Sequence, residues 1–288
     1  MDKEGIYIYC IIGSSPPPSF GAPGIGERGD ELYCVSADLP AEAAPQALQA
    51  GLSPVLPTPA IAGFAKAGAP GTKGDGLCAV VSRSPMQKFK MSRDNLLAHE
   101  RAIEDVMKTH TVLPVRFATV AESEEKVRKI LLKEAERFSS LLREMEGRKE
   151  LGVKAIFNSE KIYAQIAEQK DIKQTRDRLA ALPADKIYFQ KMELGRMVEK
   201  ALERERDKCR DEIMVVLTPL AIEVKTAKPY GELMILNGAF LVECKREEEF
   251  DGAFRALEER FGALITWRYI GTLPPFNFVN VEISTEDL

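Results

Sequence analysis

The apolar run Ile6-Tyr7-Ile8-Tyr9-Cys10-Ile11-Ile12, β-branched and aromatic and closed by Gly13, predicts a buried strand at the start of the first domain. Loop residues follow, with Pro16-Pro17-Pro18 and then Gly21, Pro23, Gly24, Gly26 and Gly29, before a second strand candidate around Leu32 to Ser36. From Asp38 to Gly76 the chain is rich in Ala, Pro and Gly and poor in bulky apolar residues, which reads as an insertion or excursion. Leu77-Cys78-Ala79-Val80-Val81 is another buried strand. Ser92 then caps a helix with Asp94 in its first turn and Leu96, Ile103, Val106 and His110 along one face. Val112-Leu113-Pro114-Val115-Arg116-Phe117 is extended, and Pro114, which cannot donate to a ladder, makes it an edge or bulged strand. A long helix runs from a Ser123 cap to Gly147, with Val127, Leu131, Phe138, Leu142 and Met145 as its stripe.

The second half has a clearer order. Val153 to Phe157 is a strand; helical sequence runs from Ser159 to about Leu182, breaks at Pro183 and resumes from Lys186 to Leu217 before Pro219. In that last helix Met192, Gly195, Val198, Leu202, Cys209, Ile213 and Val216 form a packing seam. Ala221 to Ala227 and Leu233 to Glu243 are strands, Glu247 to Phe261 is a helix closed by Gly262, and Leu264 to Ile270 is a last strand. The order β-α-β-β-α-β is the split βαβ arrangement, an antiparallel sheet with helices on one face. The expected class is α+β in two ferredoxin-like domains. Residues 1–147 form a modified version with a Pro/Gly/Ala-rich excursion at about 38–76, and residues 148–288 a version with long helices and a C-terminal tail.

Composition narrows the function. The 288 residues suit two domains at roughly 150 residues each. With 44 acidic and 40 basic residues, the formal charge of −4 offers no global field for phosphates, which disfavours nucleic acid as a partner. Cys10, Cys34, Cys78, Cys209 and Cys244 are odd in number and never spaced Cys-x-x-Cys, so neither a disulfide framework nor a zinc knuckle is expected, and a reducing cytoplasm fits. Asp2 and Glu4 stand where a signal peptide is basic, and no segment reaches about 20 uninterrupted apolar residues, so no membrane span or secretion is expected.

Several motifs lack the context their chemistry needs. Gly24-Ile25-Gly26-Glu27-Arg28-Gly29 has the dinucleotide spacing but leads into a strand, not a helix that could meet a pyrophosphate. Gly71-Thr72-Lys73-Gly74 lacks the P-loop spacing. His99-Glu100 begins a zinc motif whose second ligand position holds Ile103, and His110 would lie roughly 16 Å along the helix, beyond one coordination sphere. No metal or other cofactor is expected, and no serine or cysteine stands next to an evident base. Gly238-Ala239-Phe240-Leu241-Val242 echoes an RNA-recognition strand with a single aromatic, too few for a stacking platform.

The chain resembles the gas vesicle accessory proteins F and L. The resemblance sits in Asn95 to Glu100 with Val112 to Phe117, in Gly147 to Lys154, in Asn237 to Val242 and in Arg268-Tyr269-Ile270-Gly271-Thr272-Leu273-Pro274-Pro275-Phe276-Asn277-Phe278; Asp38 to Gly76 departs from the family pattern. It implies a non-enzymatic, cytoplasmic accessory protein of gas vesicle assembly, whose partners are the small, very hydrophobic shell protein and other accessory proteins. Covering an exposed apolar surface before it enters the wall is a role such a client requires. The expected contact is an exposed sheet edge or apolar groove of the first domain, pointed to by the imperfectly paired edge at Pro114, with Val112, Val115, Arg116 and Phe117 as partner-binding residues and strand addition as the mode. His99, Glu100 and Arg116 are expected to tie helix to strand by an internal ion pair or hydrogen bond. A small-molecule-sensing or regulatory module is the alternative, since a ferredoxin-like fold alone does not fix function.

Overall fold

The computed structural model describes residues 4–13, 20, 24–25, 30–37, 76–86, 89–181, 188–279, 281 and 283. The excursion expected at about 38–76 therefore lies, but for Gly76, outside the described residues, as do the break at Pro183 and the Gly71 to Gly74 motif. The chain divides into two compact units, Met1–Glu146 with Asn280–Leu288, and Gly147–Val279.

In the first unit, β1 (Glu4–Gly13), β2 (Tyr33–Ser36), β3 (Leu77–Pro85) and β4 (Val112–Pro114) form an antiparallel sheet ordered β2-β3-β1-β4, and β5 (Val120–Ala121) also pairs with β1. β1 is buried from Gly5 to Ile12 without alternation, so both its faces are covered. The covering elements are α1 (Arg93–Met107), packed on β1 and β4, and the pair α2 (Glu124–Lys133) and α3 (Ala135–Met145), packed across the sheet. Ser92 and Ser123 accept bonds from Asn95 N–H and Lys126 N–H, capping α1 and α2 as expected.

Two readings change. The helix expected to run unbroken from Ser123 to Gly147 is two helices, parted at Glu134 (φ −100°, ψ 14°). No proline or glycine marks the break, and the stripe Val127, Leu131, Phe138, Leu142 and Met145 stays buried across it, so packing sets the kink. His110 is off the face of α1, because that helix ends at Met107; its Nδ1 lies 2.8 Å from Thr109 Oγ1 in the following turn.

The second unit has the β-α-β-β-α-β order throughout. β6 (Arg148–Phe157), β7 (Glu223–Thr226), β8 (Met234–Glu243) and β9 (Ile265–Leu273) form the sheet β7-β8-β6-β9, the same rank order as the first. Its helices are α4 (Ser159–Ala167), α5 (Lys170–Ala180), α6 (Tyr188–Leu217) and α7 (Glu247–Phe261), the last closed by Gly262 at φ +49°. The helical stretch expected from Ser159 to Leu182 is thus divided at Glu168 and Gln169, where Gln169 turns extended. The α6 seam is buried only from Ala201 onward; Met192 and Gly195 are exposed. Phe240, the lone aromatic of the RNA-like strand, is fully buried against Phe250, with Leu151, Val153 and Ile213 in the same core, and so offers no stacking face.

Replacing Phe240→Ala removes that ring and should cost about 3–5 kcal/mol. The single tryptophan, Trp267, is on β9, so its fluorescence follows unfolding of this unit in urea. A shift worth under about 1 kcal/mol would mean that the ring does not anchor this core.

Candidate functional site

Polar groups concentrate at two places. The first is built on β1. Its apolar run carries Tyr7 and Tyr9, and the ladder with β3 shifts register between Ile8 and Cys10, which inserts Tyr9 as an extra residue. The Tyr7 hydroxyl lies 3.1 Å from His99 Nδ1, and His99 Nε2 lies 3.2 Å from the Val115 carbonyl. A carbonyl only accepts, so Nε2 carries the proton and donates; Nδ1 then accepts from the Tyr7 hydroxyl. The Tyr7 oxygen in turn accepts from Ala118 N–H at 2.9 Å. Ala118 holds φ +65°, a left-handed turn unusual for a residue with a Cβ, and this bond helps retain it. Tyr9 completes the cluster, accepting from Ile25 N–H at 2.6 Å and lying 3.0 Å from Ser82 Oγ. Every polar atom in this chain of bonds has a partner while every member is neutral.

Burial dominates the electrostatics. It holds the Tyr7 and Tyr9 phenols well above their usual range and pushes His99 down to about 4, against the smaller opposing effect of the Val115 carbonyl. The Cys10 thiol is likewise raised by burial. No member is charged near neutral pH, and none is poised to exchange a proton there.

The structure thus brings His99, Val115 and Phe117 together, the Phe117 ring edge-on to the imidazole at 5.7 Å. Glu100 and Arg116 lie at the surface. Val112 and Val115 are 2% exposed, and Val115 forms a parallel bridge with Val281 on the outer side of the β4 edge. Of the four expected partner-binding residues, Arg116 is exposed and Phe117 half-buried, so any docking there must work mainly through the backbone. Among the described residues, no group of three His, Cys, Asp or Glu side chains could hold a metal ion, and no helix is long and apolar enough to cross a membrane. Gly24 and Ile25 turn their N–H groups inward, to the Asp30 carbonyl and to Tyr9, while Gly26 to Gly29 lie outside the described residues.

The second place escaped the sequence reading. Glu150 on β6 is 2% exposed, and its carboxylate accepts from Asn277 N–H at 2.9 Å and from Asn277 Nδ2 at 2.5 Å. Burial raises its pKa, and the two Asn277 bonds oppose the rise. Lys225 on β7 donates to the Asn277 carbonyl at 3.0 Å and lies over the Phe278 ring. These groups line a recess of about 310 Å³ on the sheet together with Gly152 and Asn237. Glu150 and Lys225 are occupied in fastening the segment after β9, so they form a latch more than a set of open donors for a small ligand. Glu150 stands among Arg148, Lys149 and Lys154 on β6, so its burial left no signal in the sequence, whereas the two tyrosines at i and i+2 in β1 were one.

The His99 chain predicts an acid sensitivity. Unfolded, the imidazole takes up a proton below about pH 6.5; folded, it stays neutral down to about 4. The unfolded state therefore binds more protons in that window, so stability from this group is complete above about pH 6.5 and is lost as pH falls toward 4. At about pH 5 the loss is on the order of 2 kcal/mol. Urea unfolding of the first unit at several pH values should show this slope in the wild type and a shallower one in His99→Gln; parallel slopes would refute the assignment.

The model of the family described as gas vesicle synthesis protein GvpL/GvpF matches residues 5–280. Gas vesicle protein F of Nostoc sp. PCC 7120 is 29% identical over 214 residues, 72% of this chain and 86% of that protein. Gas vesicle protein F of Haloferax mediterranei is 25% identical over 213 residues, 73% and 81% of the two chains. Among solved structures, the crystal structure of the gas vesicle protein GvpF from Anabaena sp. PCC7120 superposes with a TM-score of 0.71 over 97% of this chain and 100% of that one, at 23% identity, which shows a common fold. The match at residues 5–280 takes in both sheets, the His99 chain and the Glu150 latch, and the chain belongs to the gas vesicle synthesis protein GvpL/GvpF family.

Proposed function

We propose that this protein serves gas vesicle assembly without chemistry of its own, in the cytoplasm. It binds the small hydrophobic shell protein, together with other accessory proteins, and holds or nucleates it before it joins the wall. The observation that carries this reading is the β4 edge. β4 is a three-residue terminal strand, Pro114 cannot donate to a ladder, and the edge accepts a lone parallel bridge from Val281. An edge that bridges one residue of its own chain has the backbone geometry to take a strand from a client. The His99 chain supports it from behind, because the Val115 carbonyl is fixed by an imidazole that cannot move without orphaning Tyr7. Strand addition suits an apolar client, since backbone bonds supply attachment while its side chains stay covered.

Co-expression of the tagged protein with the shell protein, followed by affinity capture, should recover soluble shell protein that aggregates when this chain is omitted. The double variant Arg116→Glu with Phe117→Ala alters the accessible end of the segment and should lower capture several-fold while keeping the helix content of the wild type. Unchanged capture would place the contact elsewhere; no capture by the folded wild type would overturn the holding role.

A further inference from the structure

The helices of the second unit cover one face of its sheet. The other face carries the Glu150 latch and, beside it, a row of polar side chains that the latch leaves unused. On β6, Leu151, Val153, Ala155 and Phe157 point into the core, so Gly152 and Lys154 point the other way. The register sets Lys154 opposite Asn237 on β8 and opposite Arg268 on β9. Three neighbouring strands thus present an amide, an ammonium and a guanidinium in one row.

Lys154 against Arg268 is a like-charged cross-strand pair, with Cβ atoms roughly 5 Å apart, an arrangement that costs a sheet stability. Elsewhere on this face the register opposes unlike charges, Arg148 to Glu243, and on the helix side Lys149 is bonded to Glu247 at 2.6 Å. Among the described residues, none gives Lys154, Arg268 or the Asn237 side chain an ion pair or a hydrogen bond. The space beside the row is open as well. Lys154 and Asn237 line the recess of about 310 Å³, with Gly152 and Ala239 from the next row. A Cβ on Gly152 would meet nothing nearer than 3.6 Å, and a glycine inside a strand marks a place where another group can approach the backbone. Ile270, opposite Gly152 on β9, also lines the recess and is 40% exposed.

We propose that this recess is a docking site for an acidic segment of a partner protein, with one carboxylate held between Lys154, Arg268 and Asn237 and an adjacent apolar side chain covering Ile270. A carboxylate there converts a repulsive pair into two charge-assisted contacts, and the Asn237 amide supplies a third donor. A chain of phosphates fits less well, because it would leave Ile270 uncovered and pass the exposed Glu223 carboxylate on β7. The site belongs to the second unit and does not depend on capture of shell protein at the β4 edge.

A fluorescein-labelled peptide of alternating glutamate and leucine should bind the full chain at low ionic strength, and its glutamine–leucine counterpart should bind at least about tenfold more weakly. Arg268→Gln should lower the affinity for the glutamate peptide by about tenfold without lowering the urea midpoint followed by Trp267, because it relieves a like-charged pair. A residue serving the sheet alone would do the reverse. Gly152→Val keeps all three donors but fills the recess, and should abolish binding. Carbodiimide coupling of the peptide should place the new amide bond on Lys154, read by mass spectrometry. The proposal falls if the two peptides bind equally, if either variant binds like the wild type, if Arg268→Gln lowers the urea midpoint, or if coupling spares Lys154. It falls too if free glutarate displaces the peptide at the peptide's own concentration, which would make the recess a site for a small acid instead.

Discussion

The first unit depends on keeping four buried polar side chains satisfied without charge. Tyr7, Tyr9, Ser82 and His99 sit in the most thoroughly buried part of the sheet, where an unpaired hydroxyl or imidazole costs on the order of 1–3 kcal/mol. The bonds run in one consistent direction, from Ala118 N–H to the Tyr7 oxygen, from the Tyr7 hydroxyl to His99, and from His99 to the Val115 carbonyl. Each link depends on the tautomer set by the next. That chain joins β1, α1 and the β4–β5 connection, so the orientation of the sheet edge follows from a neutral imidazole as well as from apolar packing.

A comparable constraint acts in the second unit through a different chemical pair. Glu150 would be costly to bury alone, and Asn277 answers both of its oxygens. Two of the segments that carry the family resemblance, Gly147 to Lys154 and Arg268 to Phe278, are joined by this contact, as Asn95 to Glu100 and Val112 to Phe117 are joined by His99. Four of the segments that carry the resemblance are thus brought together in two pairs, each by one buried polar circuit.

The order of elements in the second half was legible because β-branched and aromatic stretches such as Val153 to Phe157 and Leu233 to Glu243 alternate with helices that have clear stops, such as Gly262 after Phe261. The rank order of the first sheet was only loosely legible, since a stretch without helical periodicity separates β1 from β2. The break at Glu134 was hidden for a physical reason: the stripe from Leu131 to Phe138 keeps helical spacing through a one-residue kink, so periodicity cannot register it. His99 was legible as a residue that needs a partner, but its partner was not. The Tyr7 hydroxyl looks like one more apolar position when a strand is read by burial alone. Val112 and Val115 are buried because an edge strand over a two-sided core still buries its own side chains, which leaves the backbone, Arg116 and half-buried Phe117 at the surface.

The length of α6 makes a separate demand. Its 30 residues rise about 45 Å, whereas the ten-residue strands beneath it extend about 33 Å. The sheet can therefore bury only part of the helix, and burial does begin at Ala201, near its middle. Helix α5 packs on the earlier turns, yet Tyr188, Phe189 and Met192 stay exposed. Intrahelical ion pairs contribute only a few tenths of a kcal/mol each, too little to account for an overhanging segment that also carries aromatic side chains into water. Its early turns are held instead within the unit, by α4 and α5 and by Leu194, Met197 and Val198, which lie half-buried against the core.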